Sequence, residues 1–349
     1  MKQFKRIRDW MDIPGHYMPG IRNSITDVPG VTVGHHTMHD EDRGMNTGVT
    51  VIRPHPGNVY AEKVPAAVHV GNGYGKTTGI IQVEELGEIE SMIGLTNTLS
   101  VSSVLQGLLE YHLALLSPEQ NSINIIVGET NDAQLNDIKK MAIQPEHVRL
   151  AIQSLSEVVE EGAVGAGAGT ICYGFKGGIG TSSRRVKEYT VGVLVQTNFG
   201  GNLHLYGHPV QSRGIESPQT SGSCMVIVAT DAPMLDRQLR RLAKRAIIGL
   251  TNTGSYIHHG SGEIVIAFSN CKANIIHRHD TALQSFIQLP DEDINPYFEA
   301  TVEAVQEAVY NSLTMAEQVK GPEGRMAEGF DMARYDEIPL KNDTGDQHE

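Results

Sequence analysis

The sequence predicts a layered α+β sandwich. Three observations point to it. Short apolar runs of strand length recur along the chain, and a few long stretches carry the helical period. The two kinds interleave without the strict alternation of a doubly wound parallel sheet. The chain has 349 residues, 40% hydrophobic and 20% charged, which suffices for one large core in a single domain.

Taken in order, the first strand-like runs are Val31-Thr-Val33 and Gly48-Val-Thr-Val-Ile52, with turn residues between them. The stretch Ser24-Ile-Thr-Asp-Val-Pro-Gly30 before them reads as short strand and loop. Ala66-Ala-Val-His-Val70 is a further strand, closed by Gly71-Asn-Gly-Tyr-Gly75. Over residues 98–116 the positions Leu99, Val101, Val104, Leu105, Leu108, Leu109, His112 and Leu115 form a helical stripe. Residues 123–127 read as a buried strand that ends at Gly128-Glu129. The glycine-rich belt 162–180 reads as too flexible for an element interior. Buried strands are expected at 191–195, 224–229 and 264–268. Helices are expected at 234–250, with Asp231 and Pro233 as start signals, and at 296–315. From about residue 320 to 349 the chain turns polar and reads as a loosely packed tail.

Several function classes drop out early. With 28 basic against 41 acidic residues the formal charge is −13, a poor match for nucleic acid or an anionic membrane. Cys172, Cys224 and Cys271 are odd in number and far apart, without zinc spacing or a disulfide framework. No apolar run approaches the ~20 residues that cross a bilayer, and no apolar region follows the basic N-terminus. A cytoplasmic location is the expectation. Gly71-Asn-Gly-Tyr-Gly75-Lys76-Thr77 imitates a phosphate loop but is one residue short of its spacing. The belt Gly165-Ala-Gly167-Ala-Gly169 misses the dinucleotide spacing. The pairs His35-His36, His258-His259 and His277-Arg-His279 read as loop or surface histidines, because strand neighbours point to opposite faces and chelate poorly. No metal site is expected.

Chemistry concentrates at Ser221-Gly222-Ser223-Cys224, where a small polar stretch (Ser217 to Gly222) runs into a buried strand. A hydroxyl at the first strand position is held rigidly beside an unobstructed glycine carbonyl. Attack of Ser223 on Gly222 would cut the bond between them and free an α-amine of pKa about 8, able to serve as base for its own hydroxyl. These residues permit that chemistry without selecting it; taken alone, a serine-rich loop before a strand is the stronger reading. Ser261-Gly262-Glu263 has the same design, with hydroxyl and carboxylate two apart on one side of an extended chain. Asn198 follows an apolar strand and could donate to an oxyanion or cap a turn. Cys224 points to the other face from Ser223 and reads as core.

These residues resemble a known family, the DmpA-type aminopeptidases that include the β-peptidyl aminopeptidases. The likeness runs through Ile25-Thr-Asp-Val-Pro-Gly-Val31, Lys63-Val-Pro-Ala-Ala-Val-His-Val70 and Gln82-Val-Glu-Glu-Leu-Gly87. It continues in Leu95-Thr-Asn-Thr-Leu-Ser100, Val127-Gly-Glu-Thr-Asn131, Lys176-Gly-Gly-Ile-Gly-Thr-Ser-Ser183, Gly222-Ser223 and Ala229-Thr-Asp-Ala-Pro233. The resemblance implies a four-layer α/β/β/α sandwich, shaped like the N-terminal-nucleophile hydrolases but differently connected. It implies self-cleavage at Gly222–Ser223 into chains 1–222 and 223–349 that stay together. It implies Ser223 as nucleophile, Ser261 and Glu263 as its support, Asn198 at the oxyanion and Glu129 on the substrate's free amine. The implied substrate is a small peptide, amide or ester with a free N-terminal amine, turned over without a cofactor by a homo-oligomer, a tetramer or octamer of processed heterodimers. The related ornithine acetyltransferase type also cleaves itself but uses threonine, so Ser223 and Ser261-Gly-Glu263 depart from it. That acyltransferase, and a non-catalytic protein of the same fold, are the alternatives.

Overall fold

A computed structural model describes residues 4–210, 222–278, 282–335 and 338–341 of the chain. Two sheets stack face to face. The first orders β1 (Thr32–Asp40), β2 (Met45–Arg53), β4 (Ile93–Asn97) and β5 (Ile126–Thr130), with β4 and β5 parallel. The second runs from the short strand Ile276–His277 through β3 (Glu62–Gly73), β9 (Gly262–Ser269), β8 (Ser223–Thr230), β7 (Tyr189–Asn198) and β6 (Ile179–Val186). The short strand Glu88–Ile89 pairs with β3 beside this path. Within the second sheet β8 and β9 are parallel, while β8 with β7 and β9 with β3 are antiparallel.

The apolar alternation explains the layering. Leu194, Met225, Ile227, Ile264, Ile266 and Phe268 of the second sheet meet Val33, Ile52, Ile93, Leu95 and Ile126 of the first. The opposite face of the second sheet (Val193, Val195, Val226, Val228, Val265) packs under α3 (Asp236–Asn252) and α4 (Asn295–Thr314). Val49, Val51 and Val127 pack under α1 (Val101–Leu113) and α2 (Pro145–Gln153). The order is therefore helix, sheet, sheet, helix, as expected. Strands buried on both faces read as continuous apolar runs, which is why 191–195, 224–229 and 264–268 stood out in the sequence. Among the described residues no helix is long and apolar enough to cross a membrane.

The structure departs from expectation in several places. Ser24 to Gly30 forms no strand; Ile25–Asp27 is a single 3-10 turn, capped by Ser24 and closed by the Asp27 side chain. The expected strand 123–127 begins only at Ile126 and continues through Thr130, so Glu129 lies inside a strand rather than after it. Gly128 is what allows this. A Cβ there would come within 2.5 Å of Met225 Cε, so a bare glycine lets the two sheets approach. His35 and His36 lie on β1, with His35 bonded to Thr50 at 2.9 Å and His36 stacked on His147. The tail is packed at least as far as residue 341, with Phe330, Met332, Tyr335 and Ile338 buried against the helix-side core. Those four apolar residues follow no regular period, so periodicity did not reveal them. His279, residues 342–349 of the expected tail, and Ser217 to Ser221 of the expected polar stretch lie outside the described residues.

The glycine-rich belt is the largest correction. It is mostly buried and holds the short paired strands Ile171–Cys172 and Phe175–Lys176. Its glycines supply close approach rather than flexibility: a Cβ on Gly178 would lie 1.9 Å from the Gly162 carbonyl oxygen, and one on Gly169 2.1 Å from that of Asn46. The fully buried Lys176 closes the belt by donating to the carbonyls of Gly167 (2.8 Å) and Gly177 (2.7 Å). Gly178→Ala should therefore cost about 2–4 kcal/mol, whereas Gly73→Ala, with nothing nearer than Val70 Cγ1 at 3.5 Å, should stay within about 0.5 kcal/mol. Denaturant melts of the two variants check this; equal stabilities would show the belt to be a loose loop.

Candidate active site

At one end of the second sheet, hydrogen-bonding register places four residues in a row: Asn198 opposite Ser223, Ser223 beside Gly262, and Gly262 opposite Gly73. Ser223 is the first residue of β8, and Gly222 before it lies outside the strand. The Gly262 N–H faces two oxygens of the same dipeptide, the Gly222 carbonyl at 3.1 Å and Ser223 Oγ at 3.2 Å. Gly222 must be glycine here, because a Cβ would lie 2.3 Å from the Asn198 carbonyl oxygen and 2.6 Å from Phe199 Cα.

Ser261 and Glu263 flank Gly262, and the Ser261 hydroxyl donates to Glu263 Oε1. Both are buried, and Glu263 Oε2 has no hydrogen-bond partner among the described residues. Burial pushes the Glu263 carboxyl up to about 7, against the opposing effect of the Ser261 bond. Among the described residues, this pair makes no direct hydrogen bond to Ser223 Oγ; Gly262 stands between them.

Asn198 ends β7 with its amide held at both ends. Its Oδ1 accepts from Ile171 N–H at 3.1 Å and its Nδ2 donates to the Asn131 carbonyl at 2.9 Å. Among the described residues the second Nδ2 hydrogen has no acceptor. Glu129 comes from the first sheet. Its Oε1 accepts from the Lys76 N–H at 2.8 Å and its Oε2 from the Thr98 hydroxyl, which leaves each oxygen lone pairs to spare. All this opens on a cavity of about 430 Å³ whose wall includes Lys76, Glu129, Asn198, Gly222, Ser223 and His259. The packing of the two sheets thus brings Glu129 to the row that holds Ser223. Cys224, in contrast, is fully buried on the helix side, and its thiol titrates well above the usual range because of that burial.

Known proteins share this architecture. The model of peptidase family S58 matches residues 23–327. The chain belongs to peptidase family S58. A β-peptidyl aminopeptidase of Sphingosinicella microcystinivorans is 38% identical over 351 residues, 91% of this chain and 88% of that protein. The crystal structure of the PH0078 protein of Pyrococcus horikoshii OT3 superposes with a TM-score of 0.87 at 44% identity, covering 92% and 95% of the two chains. The L-aminopeptidase D-Ala-esterase/amidase of Ochrobactrum anthropi, described as a prototype of the serine aminopeptidases and a new variant of the Ntn hydrolase fold, gives 0.85 at 33% identity over 92% and 94%. This S58 chain is accordingly a hydrolase, a serine aminopeptidase.

Sequence reading singled out Ser223, Ser261, Glu263, Asn198 and Glu129, and the structure gathers them at one end of the sandwich. It missed Thr98, the backbone N–H groups of Lys76 and Gly262, and the Asn131 carbonyl. Main-chain donors leave no mark on a sequence. The one sequence signal for the Thr98 hydroxyl is its place before a helix.

The Glu263 environment generates a stability prediction. In the fold Glu263 holds its proton up to about pH 7, whereas its ordinary value is 4.5. The folded chain therefore binds the extra proton between those values. This contribution is fully present below about 4.5 and is lost as pH rises through about 7. On a Ser223→Ala background, Glu263→Gln should gain Tm relative to its parent as pH is raised from about 5 to 8. A Tm difference independent of pH would mean that Glu263 is ionised throughout.

Proposed function

We propose that the chain cuts its own Gly222–Ser223 bond and then releases N-terminal residues from small peptides, amides or esters through an ester on Ser223. The observation that carries this reading is the double contact of the Gly262 N–H, which faces the carbonyl to be attacked and the hydroxyl that attacks it. In the first reaction Ser223 Oγ adds to the Gly222 carbonyl carbon and the Gly262 N–H stabilises the developing oxyanion. The Ser223 nitrogen leaves with a proton and an ester joins residue 222 to Oγ. Water then hydrolyses the ester, giving a carboxylate on Gly222 and a free amine on Ser223.

That amine is the base missing from the uncut chain. Glu263 Oε2, without a hydrogen-bond partner among the described residues, supports the reading as an open acceptor on the strand paired beside Ser223. In the second reaction Glu129 receives the substrate ammonium, a charge-assisted contact that only a chain end can supply. Ser223 attacks the first carbonyl, the second Asn198 Nδ2 hydrogen and the Gly262 N–H hold the oxyanion, and the amine with Ser261 and Glu263 moves the protons. The cut halves stay together for a packing reason: β8 and β9 lie between β7 and β3 and are buried throughout. The family resemblance and the acidic, cysteine-poor composition extend the reading to a cytoplasmic homo-oligomer.

Intact mass under denaturing conditions tests the first step. Wild type should give fragments 1–222 and 223–349, and Ser223→Ala one chain; an uncut wild type after long incubation overturns self-cleavage. Gly222→Ala should slow the cut by about tenfold or more, because its methyl displaces the carbonyl from Asn198 and Gly262. Cleavage at the wild-type rate would show that the position of that carbonyl is unimportant.

A further inference from the structure

Lys76 plays no part in the chemistry above beyond its backbone N–H. Among the described residues on the cavity wall, Glu129 is the one carboxylate and Lys76 the one ammonium. The Lys76 side chain forms no ion pair among those residues. Instead its Nζ lies 4.6 Å from the centroid of the Tyr74 ring, which stands 6.1 Å from the ring of His259. Tyr74 and His259 both line the cavity. Lys76 and Tyr74 are both exposed, and the ammonium rests on the Tyr74 face at the cavity wall, an arrangement that restrains a cation without neutralising it.

The placement is informative. The main-chain N–H of Lys76 bonds Glu129, so the backbone of this residue marks the end of the cavity that takes an ammonium. Its side chain sets the cavity's one ammonium among the described wall residues over the Tyr74 ring on the same wall. Two extended residues span about 7 Å, close to the separation of the ammonium and carboxylate of a dipeptide. The chain as a whole is strongly acidic, with a formal charge of −13, and offers an anionic ligand no long-range attraction. Screening beyond about 8 Å at physiological salt leaves the local cation in control.

Resting on the aminopeptidase reading, we propose that the cavity takes zwitterionic dipeptides, with Lys76 receiving the C-terminal carboxylate of the residue released behind the scissile bond. Lys76 is then a specificity-determining residue. It favours a free acid over the corresponding amide by a contact made equally in the ground and transition states, so the preference falls on KM.

The test uses the processed enzyme with alanyl-alanine and alanyl-alaninamide, the matching β-alanyl pair, and aspartyl-alaninamide, whose carboxylate sits on the N-terminal residue. Wild type should prefer the acids over the amides by about fivefold in kcat/KM, as expected for a half-exposed charge pair. The preference should fade at about 1 M salt, where screening sets in within ~3 Å. Lys76→Met should abolish the acid-to-amide ratio and Lys76→Arg should keep it. Amides cleaved as well as acids, or a ratio unchanged in Lys76→Met, overturn the carboxylate subsite and leave the aminopeptidase reading standing. If Lys76→Met instead changes the aspartyl-alaninamide to alanyl-alaninamide ratio, the carboxylate belongs to the N-terminal residue and the assignment to the released residue is wrong. Cleavage of none of the substrates overturns the aminopeptidase reading and this inference with it.

Discussion

The site depends on one backbone pairing, the parallel alignment of β8 with β9 that sets Ser223 beside Gly262. A parallel ladder spaces its hydrogen bonds evenly and at a slant, so one N–H can lie between the oxygens of successive groups on its neighbour. Here the ladder begins at the bond before Ser223, and its first donor, the Gly262 N–H, faces both the Gly222 carbonyl and Ser223 Oγ. Asn198 enters the same row through the antiparallel partner β7. Moving β8 by one residue would exchange Ser223 with Cys224 and turn every core side chain of the strand to the wrong face. The burial of that strand on both faces therefore fixes the catalytic register. Stability and the placement of Ser223 have the same cause.

A second constraint comes from the stacking of the sheets. The acid of the second sheet beside that row, Glu263, is buried against Ser261. Glu129 is supplied across the interface by β5, and the close approach is possible because Gly128 carries no side chain against Met225. The two carboxylates thus have separate environments. One is walled in and holds its proton to about pH 7, and the other faces the cavity with two donors already in place. Environments that differ in this way let chemically identical groups take different roles.

Much of this was legible in the sequence, and for identifiable reasons. Strands buried on both faces, such as 224–229 and 264–268, show as unbroken apolar runs, and α3 and α4 show as long stripes, so the sandwich could be read directly. Ser223, Ser261 and Glu263 drew notice as polar residues at or just before strand starts, but the residues alone did not select a role for them; the family resemblance did. The belt was misread because glycine carries two opposite meanings. It permits unusual backbone angles, and it permits contact, and composition does not tell them apart. At Gly178 and Gly169 contact is what matters. The packed segment after residue 320 was misread because its apolar residues obey neither strand nor helix period. Glu129 was placed three residues too late relative to its strand because Gly128 looked like a stop.

Local rules fail where the chemistry lies. A buried glutamate with one oxygen unpartnered among the described residues, a glycine pinned against two backbones, and a serine where an apolar residue would pack better all lower stability. Elsewhere the core follows the ordinary rules, with apolar side chains facing one another across each interface. The departures cluster within a few residues of Gly262 and are absorbed by the fully buried strands on which they stand. A rigid frame can tolerate such a cluster, since the strands cannot relax towards a more comfortable arrangement without exposing the core. Orientation of the Gly222 carbonyl, the Ser223 hydroxyl and the Asn198 amide is then a property of the fold itself, present before any substrate arrives.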